Sequence, residues 1–406
     1  MTGTWMSSRP FSSPDDTSHS ARTAHVTPYQ YQEFGRYFAQ VAHPVEHVGA
    51  AELEELGATN VEPAYRGVYF DATPEVLYGV VFGTRMATRI LAPLMTFDCH
   101  SDNYLYKRVS EIDWVSLIGP DRTFAVFASL SNSWLSHSQY ASLRVKDAIV
   151  DTIRAATGDR PDIDRREPDL WINLHVENNR ATLSLDASGG SLHRRGYRVE
   201  SVEAPLQETV AATLVRLADW KAERPLVDPM CGSGTLLAEA WLVAANAPAG
   251  LLQESFGFEQ FPDFDAWTWA SVRAARLDAM KPVPEGLISG SDISAAAVAA
   301  ARANLARLPG AETVRVQKAD FRSTGPIKDS TIICNPPYGR RIGGGMPIEG
   351  FYKAFGDFLK QECTGCTAYI YVGKPELLKG VGLRTSFRKE VVNGALEGRL
   401  ARYDLY

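Results

Sequence analysis

The pattern of apolar and polar positions changes three times along the chain. Residues 1 to about 32 are rich in Ser and Thr with scattered Pro and His and little hydrophobic periodicity, which predicts a disordered tail. Short alternating runs follow. Tyr37–Val41 and Arg66–Phe70 read as strands, with further strand material at Val61. Val45–Leu56 carries apolar residues at helical spacing and stops at Gly57; a second helix, Pro74–Arg85, puts Val76, Leu77, Val80 and Val81 on one face. Alternation continues through Phe97, an α+β unit of ferredoxin-like proportions. A second α+β unit runs to about Arg198. It has a strand at Thr123–Ala128 and a long helix at Ser138–Thr157, with Tyr140, Leu143, Ala148, Ile149 and Ile153 expected on its buried side. A hairpin, Trp171–Val176 and Ala181–Asp186, turns at Asn178-Asn179.

From about Ser201 strand and helix alternate, the pattern of a parallel sheet covered on both faces. Strands are expected at Leu226–Asp228, Gly286–Asp292, Val314–Asp320, Thr331–Cys334 and Thr367–Val372, with a last pair between Arg384 and the end of the sequence. A glycine loop, Pro229–Thr235, separates the first of these from the helix that starts at Leu236. Asp228, Asp292 and Asp320 stand at three strand ends, and Asn335-Pro-Pro-Tyr338 closes the fourth. Strand ends of such a sheet share one edge, where ligands sit, so these side chains line a single crevice.

Composition narrows the setting. The 406 residues suffice for two or three domains, no apolar run approaches ~18 residues, and the start lacks the apolar centre of a signal peptide. These features predict a cytoplasmic protein without a membrane partner. Five scattered cysteines argue for reduced thiols; Cys363-Thr-Gly-Cys366 has metal-knuckle spacing but no second pair, so no metal is expected. A net charge of −6 argues against indiscriminate nucleic-acid binding and leaves RNA contact to local patches. One candidate patch is Leu192–Arg198, with Arg194, Arg195 and Arg198 in it; across residues 180 to 200 four arginines face two acids. A solvated loop is the competing reading.

The glycine loop admits a ligand closely, but it lacks the third glycine of a dinucleotide loop and the Lys of a phosphate loop. Asp292 is placed to take both hydroxyls of a ribose. Asp320-Phe321 offers a carboxylate to an adenine amine with an aromatic beside it. Asn335 and the Pro336 carbonyl can each accept one N–H of an exocyclic NH2 group, with Tyr338 stacked on the ring. A nucleoside without phosphates beside an amine pocket suggests S-adenosylmethionine. Here the chain resembles a family. Asp228-Pro-Met-Cys-Gly-Ser-Gly-Thr235 with Asn335-Pro-Pro-Tyr338 is similar to class I methyltransferases of the amino-methylating branch, and Pro205–Val210 resembles their additional cofactor motif. With Leu192–Arg198, Asn393-Gly394 and the aromatic insertion Ala247–Pro284, the chain from about residue 35 resembles the THUMP-domain rRNA guanine-N2 methyltransferases.

The resemblance implies an α/β fold, a Rossmann-like class I methyltransferase domain (199–406) preceded by ferredoxin-like (33–84) and THUMP (85–198) modules, after a tail at 1–32. It implies S-adenosylmethionine bound by Glu208, Thr209, Asp228, Cys231, Gly232, Gly234, Asp292, Ile293, Asp320, Phe321 and Asn335. Catalysis falls to Asn335, Pro336 and Tyr338, and RNA contact to Lys146, Arg194, Arg195 and Arg198. Structured RNA is the expected partner, rRNA before tRNA, with no obligate protein partner evident. Arg340-Arg341 depart from relatives in which an acidic residue often follows the motif. Methylation of guanine N2 in large-subunit rRNA is the expected reaction. A tRNA guanine, an adenine N6 in nucleic acid, a protein glutamine, and a cofactor-binding RNA chaperone without activity stand as alternatives.

Overall fold

The computed structural model describes residues 28–201, 206–338, 347–394 and 396–406. Two seven-stranded sheets organise the described residues. The first contains β1 (Arg36–Val41), β2 (Thr59–Ala64), β3 (Gly67–Asp71), β4 (Ala87–Asp98), β5 (Phe124–Ser131), β6 (Leu170–Glu177) and β7 (Arg180–Asp186), in the order β2-β3-β1-β4-β7-β6-β5. The boundary expected between residues 84 and 85 therefore separates strands of one sheet. β4 is long enough to serve both modules: Ala87–Leu91 pairs with β1 and Leu91–Asp98 with β7.

The helix Ser138–Thr157 buries Ala141, Val145, Ala148, Ile149 and Ile153. Tyr140 and Leu143, expected on that side, are 44% and 37% exposed. Buried positions recur three and four residues apart, and the stripe through Ala141 and Val145 leaves Tyr140 and Leu143 off it. The tail boundary also shifts. Gln30–Phe34 is a short helix, and Tyr31 is buried with its hydroxyl donating to Asp263 Oδ1 at 2.7 Å. Residues 1–27 lie outside the described residues.

The second sheet holds β8 (Leu226–Asp228), β9 (Ile288–Asp292), β10 (Arg315–Lys318), β11 (Thr331–Cys334), β12 (Thr367–Val372), β13 (Phe387–Asn393) and β14 (Leu396–Asp404), in the order β10-β9-β8-β11-β12-β14-β13. The first five run parallel, and β14 lies antiparallel to both its neighbours. Strand order reverses between β8 and β11, so the ligand crevice of this topology opens between the ends of those two strands. Asp228 ends β8, and Asn335 follows β11.

The insertion 247–284 joins the two halves. Phe258 stacks on Tyr78 with ring centroids 4.4 Å apart, and Trp269 meets Phe82 edge-on at 5.3 Å. Both partners come from the helix Pro74–Gly83, so burial of aromatic area fastens the carboxy-terminal half to the amino-terminal sheet. Gly257 is required there because an added Cβ would lie 2.0 Å from the Asp186 carbonyl oxygen.

Candidate active site

β8 is short, with Leu226 and Asp228 buried and Val227 partly buried, and Asp228 is 1% exposed. The Asp228 carboxylate accepts the Met230 N–H at 3.1 Å. Burial, with the charge of Asp292 adding to it, pushes the Asp228 carboxyl up to about 8. The glycine loop beyond it is held from the neighbouring strand: Cys231 N–H donates to the Ser291 carbonyl at 2.9 Å, and Gly232 N–H donates to Asp292 Oδ2 at 3.0 Å. Asp292 Oδ1 accepts Ser294 N–H at 2.9 Å, so both carboxylate oxygens are oriented by backbone and keep further lone pairs for a ligand. Gly234 adopts φ +80°, and a Cβ there would stand 3.0 Å from Ala301 Cβ, which confines the position to glycine. Cys231 is buried in the loop, and burial pushes its thiol up, so it packs as a neutral group. Beside Asp292, Ile293 is 62% exposed, an apolar side chain with an open face at the crevice.

At the third strand end the expectation needs correcting. Phe321 is 5% exposed and packs edge-on against Phe351, Phe355 and Phe358 at 5.3–5.6 Å between centroids. Its ring is packed in the core with residues of β11, and little of it is open to a ligand. Asp320 caps the short turn Phe321–Ser323, accepting Arg322 N–H at 3.0 Å and Arg322 Nε–H at 2.9 Å. The hydrogen bond from Arg322 holds its carboxyl below the usual range, so it stands as an ionised acceptor.

Prolines end β11 as the sequence requires, and Pro336 is buried. Asn335 Oδ1 is buried without a hydrogen-bond partner among the described residues. An acceptor in that state is costly unless a ligand completes it. The Pro337 carbonyl accepts the Tyr352 hydroxyl at 3.2 Å, which pins the turn to the helix Ile348–Glu362. Tyr338 is half-buried, its ring lying over Gly373 just past β12; a Cβ on Gly373 would sit 3.4 Å from that ring. Arg340-Arg341 and Pro205 lie outside the described residues.

Glu208 and Thr209, in the first turn of the helix Glu208–Leu217, are each 5% exposed. Glu208 Oε1 accepts Arg198 Nε–H at 2.8 Å. That contact corrects the reading of the basic segment. Arg198 faces the glycine loop, and Arg195 is 3% exposed, donating to the Leu192 carbonyl at 2.8 Å, the Thr84 carbonyl at 3.3 Å and Glu239 at 3.5 Å. Both guanidinium groups are taken up by partners within the chain, Arg195 buried and Arg198 partly buried. Arg194 remains exposed. Lys146 lies on the helix Ser138–Thr157, far along the chain from it, in an ion pair with Asp147 at 2.6 Å. Sequence reasoning missed Tyr352, Glu239 and Asn304. The first two lie in amphipathic or apolar helices where one polar group is unremarked, and Asn304 is a lone amide in an alanine-rich helix.

Among the described residues no group of three or more His, Cys, Asp or Glu side chains is placed to hold a metal, and no helix is long and apolar enough to cross a membrane. The acceptor pair at Asp292, the glycine cradle, the open Ile293 face and the unpartnered Asn335 oxygen fit S-adenosylmethionine beside an amine substrate. Fold and site together define a class I S-adenosylmethionine-dependent methyltransferase.

A family model described as "RMKL-like, methyltransferase domain" matches residues 195–402, one for the THUMP domain matches 99–186, and one for the RlmL ferredoxin-like domain matches 36–91. A Synechocystis sp. protein provisionally named RNA methyltransferase is 40% identical over 371 residues, covering 91% of this chain and 97% of its own. The ribosomal RNA large subunit methyltransferase K/L of Syntrophotalea carbinolica is 37% identical over 384 residues, covering 91% of this chain and 53% of its own. The chain thus spans about half the length of the K/L relatives it matches. Among solved structures, SMU.472 complexed with SAH superposes with a TM-score of 0.80 at 25% identity, over 92% of this chain and 98% of that one. TrmN from Thermus thermophilus shares the fold, with a TM-score of 0.64 at 20% identity over 91% of this chain and 99% of its own. The chain belongs to the RMKL-like methyltransferase family, carrying a THUMP domain and an RlmL ferredoxin-like domain.

Proposed function

We propose that the protein methylates an exocyclic base amine in RNA, and that the base is a guanine, at N2, in large-subunit rRNA. The observation that carries the reading is the buried Asn335 oxygen, left without a partner among the described residues, at the switch point between β8 and β11. An aromatic NH2 group is a poor nucleophile because its lone pair is delocalised into the ring. Asn335 Oδ1 accepts one N–H and the Pro336 carbonyl accepts the other, which favours a pyramidal nitrogen. Tyr338, backed by Gly373, replaces the stacking that the base loses when it leaves its neighbours. Tyr352 keeps the turn in place through the Pro337 carbonyl. Bound S-adenosylmethionine supplies the electrophilic methyl group.

Asn335 and its neighbours treat guanine N2 and adenine N6 alike, since both present a conjugated NH2. The choice of guanine rests on the whole-chain resemblance, and the choice of rRNA on the names of the K/L relatives. A tRNA guanine is the second reading, because THUMP modules also occur in tRNA-modifying relatives of this resemblance. RNA recruitment falls to the amino-terminal sheet, with Arg194 and Lys146 as the charged contacts that stay outside the crevice. Nucleoside mass spectrometry of rRNA and tRNA from a deletion strain tests the proposal. N2-methylguanosine should fall in large-subunit rRNA and return with wild type but not with Asn335→Ala. Loss of N6-methyladenosine instead overturns the base, and loss from tRNA alone overturns the RNA.

A further inference from the structure

The segment after β7 runs along the back of the glycine loop before it enters the methyltransferase half. Its arginine at 198 has a partly buried side chain, with 18% of its surface exposed, and its guanidinium faces oxygen atoms of two separate walls. On one wall, Arg198 Nε–H donates to Glu208 Oε1 and Nη2–H to the Leu206 carbonyl, each at 2.8 Å. On the other, Nη2–H donates to Thr235 Oγ1 at 3.0 Å and Nη1–H reaches Ser233 Oγ at 3.5 Å. Ser233 and Thr235 are 4% and 5% exposed, so water does not offer them a substitute donor. Asn304 fixes the same segment: its Oδ1 accepts Val199 and Glu200 N–H at 2.9 Å, and its Nδ2–H donates to the Ser233 carbonyl at 3.0 Å.

We infer that Arg198 is a positioning residue for S-adenosylmethionine, holding the glycine loop and the helix Glu208–Leu217 at a fixed separation before the cofactor arrives. One planar fork serves both walls. A lysine ammonium carries the charge but lacks the fork geometry. Loop residues ordered in advance lose less freedom on binding, so the effect falls on cofactor affinity. The inference rests on the methyltransferase reading and assigns to the cofactor site a residue expected to touch RNA.

The test is calorimetric titration of S-adenosylhomocysteine into the full chain, with melting curves alongside. Wild type must bind; a wild type that does not bind removes the cofactor reading and this inference with it. Arg198→Ala should weaken binding about 10- to 100-fold, the scale of a lost charge-assisted hydrogen bond at a site. Arg198→Lys should recover only part of that loss. Thr235→Val removes one acceptor without touching the arginine and should weaken binding by a smaller factor, which keeps the test open if Arg198→Ala does not fold. The KM for S-adenosylmethionine should rise in Arg198→Lys while kcat at saturating cofactor holds and RNA affinity stays at the wild-type value. Unchanged S-adenosylhomocysteine affinity in Arg198→Lys and Thr235→Val overturns the inference. So does a loss of RNA affinity larger than the loss of cofactor affinity.

Discussion

Two regions of this molecule bury charge, and they do opposite things with it. At the junction between the halves, Arg195 meets Glu239, Tyr197 donates to the same carboxylate at 2.9 Å, and Arg85 donates to the carbonyls of Leu242 and Ala247 at 3.2 and 2.7 Å. Glu52 completes the set, accepting Thr84 Oγ–H at 2.7 Å and the N–H groups of Arg85 and Met86. Most of those groups answer each other, Glu239 Oε2 and Arg85 Nε being the atoms left without a hydrogen-bond partner among the described residues. Among the described residues at the crevice, Asp228 is bonded to a backbone N–H and to no cation, Asp292 keeps free lone pairs, and Asn335 Oδ1 has no partner. Polar groups completed within the chain fix structure; polar groups left incomplete at a sheet edge await a ligand.

The largest effect expected from this contrast lies at the junction. Arg195→Ala should lower stability by about 3–5 kcal/mol, because Glu239 is then buried without its cation. Urea unfolding measures it; a folded variant of wild-type stability that has lost RNA binding would break the contrast. Next comes Asn335→Ala, which should reduce methyl transfer about 10²–10³-fold with stability nearly unchanged, as expected when a group acts on the reacting atoms. Single-turnover assays on RNA read this, and a stability loss that accounts for the rate loss would count against it.

Asp292→Ala should raise the Kd for S-adenosylhomocysteine by the equivalent of about 1.5–3 kcal/mol, since hydrogen bonds to a charged group are of that size. Binding of NAD with comparable affinity in the wild type would contradict the assignment. Asp228 gives a subtler signal. Its raised pKa means the folded protein holds a proton that the unfolded chain releases between about 3.8 and about 8, so stability falls as pH rises through that window. Asp228→Asn should flatten that fall in melts of the ligand-free protein near pH 8, and an unaltered pH profile would remove Asp228 as its source. The smallest effect belongs to the exposed arginine. Arg194→Glu with Lys146→Glu should reduce the salt slope of RNA binding by about one per lost phosphate contact, leaving cofactor affinity alone. Equal losses in both affinities would make those residues structural.

Much of this was written in the local chemistry of the chain. A β-branched run stopped by Pro336-Pro337 can only be a strand end, and Gly232 and Gly234 mark a loop where side chains would collide. Acids spaced at successive strand ends predict a shared edge, because parallel strands of one sheet terminate together. Those signals are short-range or follow from a period, and together with the family resemblance they carried the α/β fold class and the cofactor. They could not determine what each charge faces. Arg194 and Arg195 are neighbours with opposite fates, one exposed and one buried on Glu239, and the choice depends on a helix that follows 40 residues later. Phe321 looked like a stacking ring beside Asp320 until three phenylalanines of the region 351–358 closed around it. Likewise, nothing local announced that β4 would pair with β1 along one half and β7 along the other, merging two modules into one sheet. Partners brought from distant parts of the chain decide burial and pairing, and only the tertiary structure supplies them.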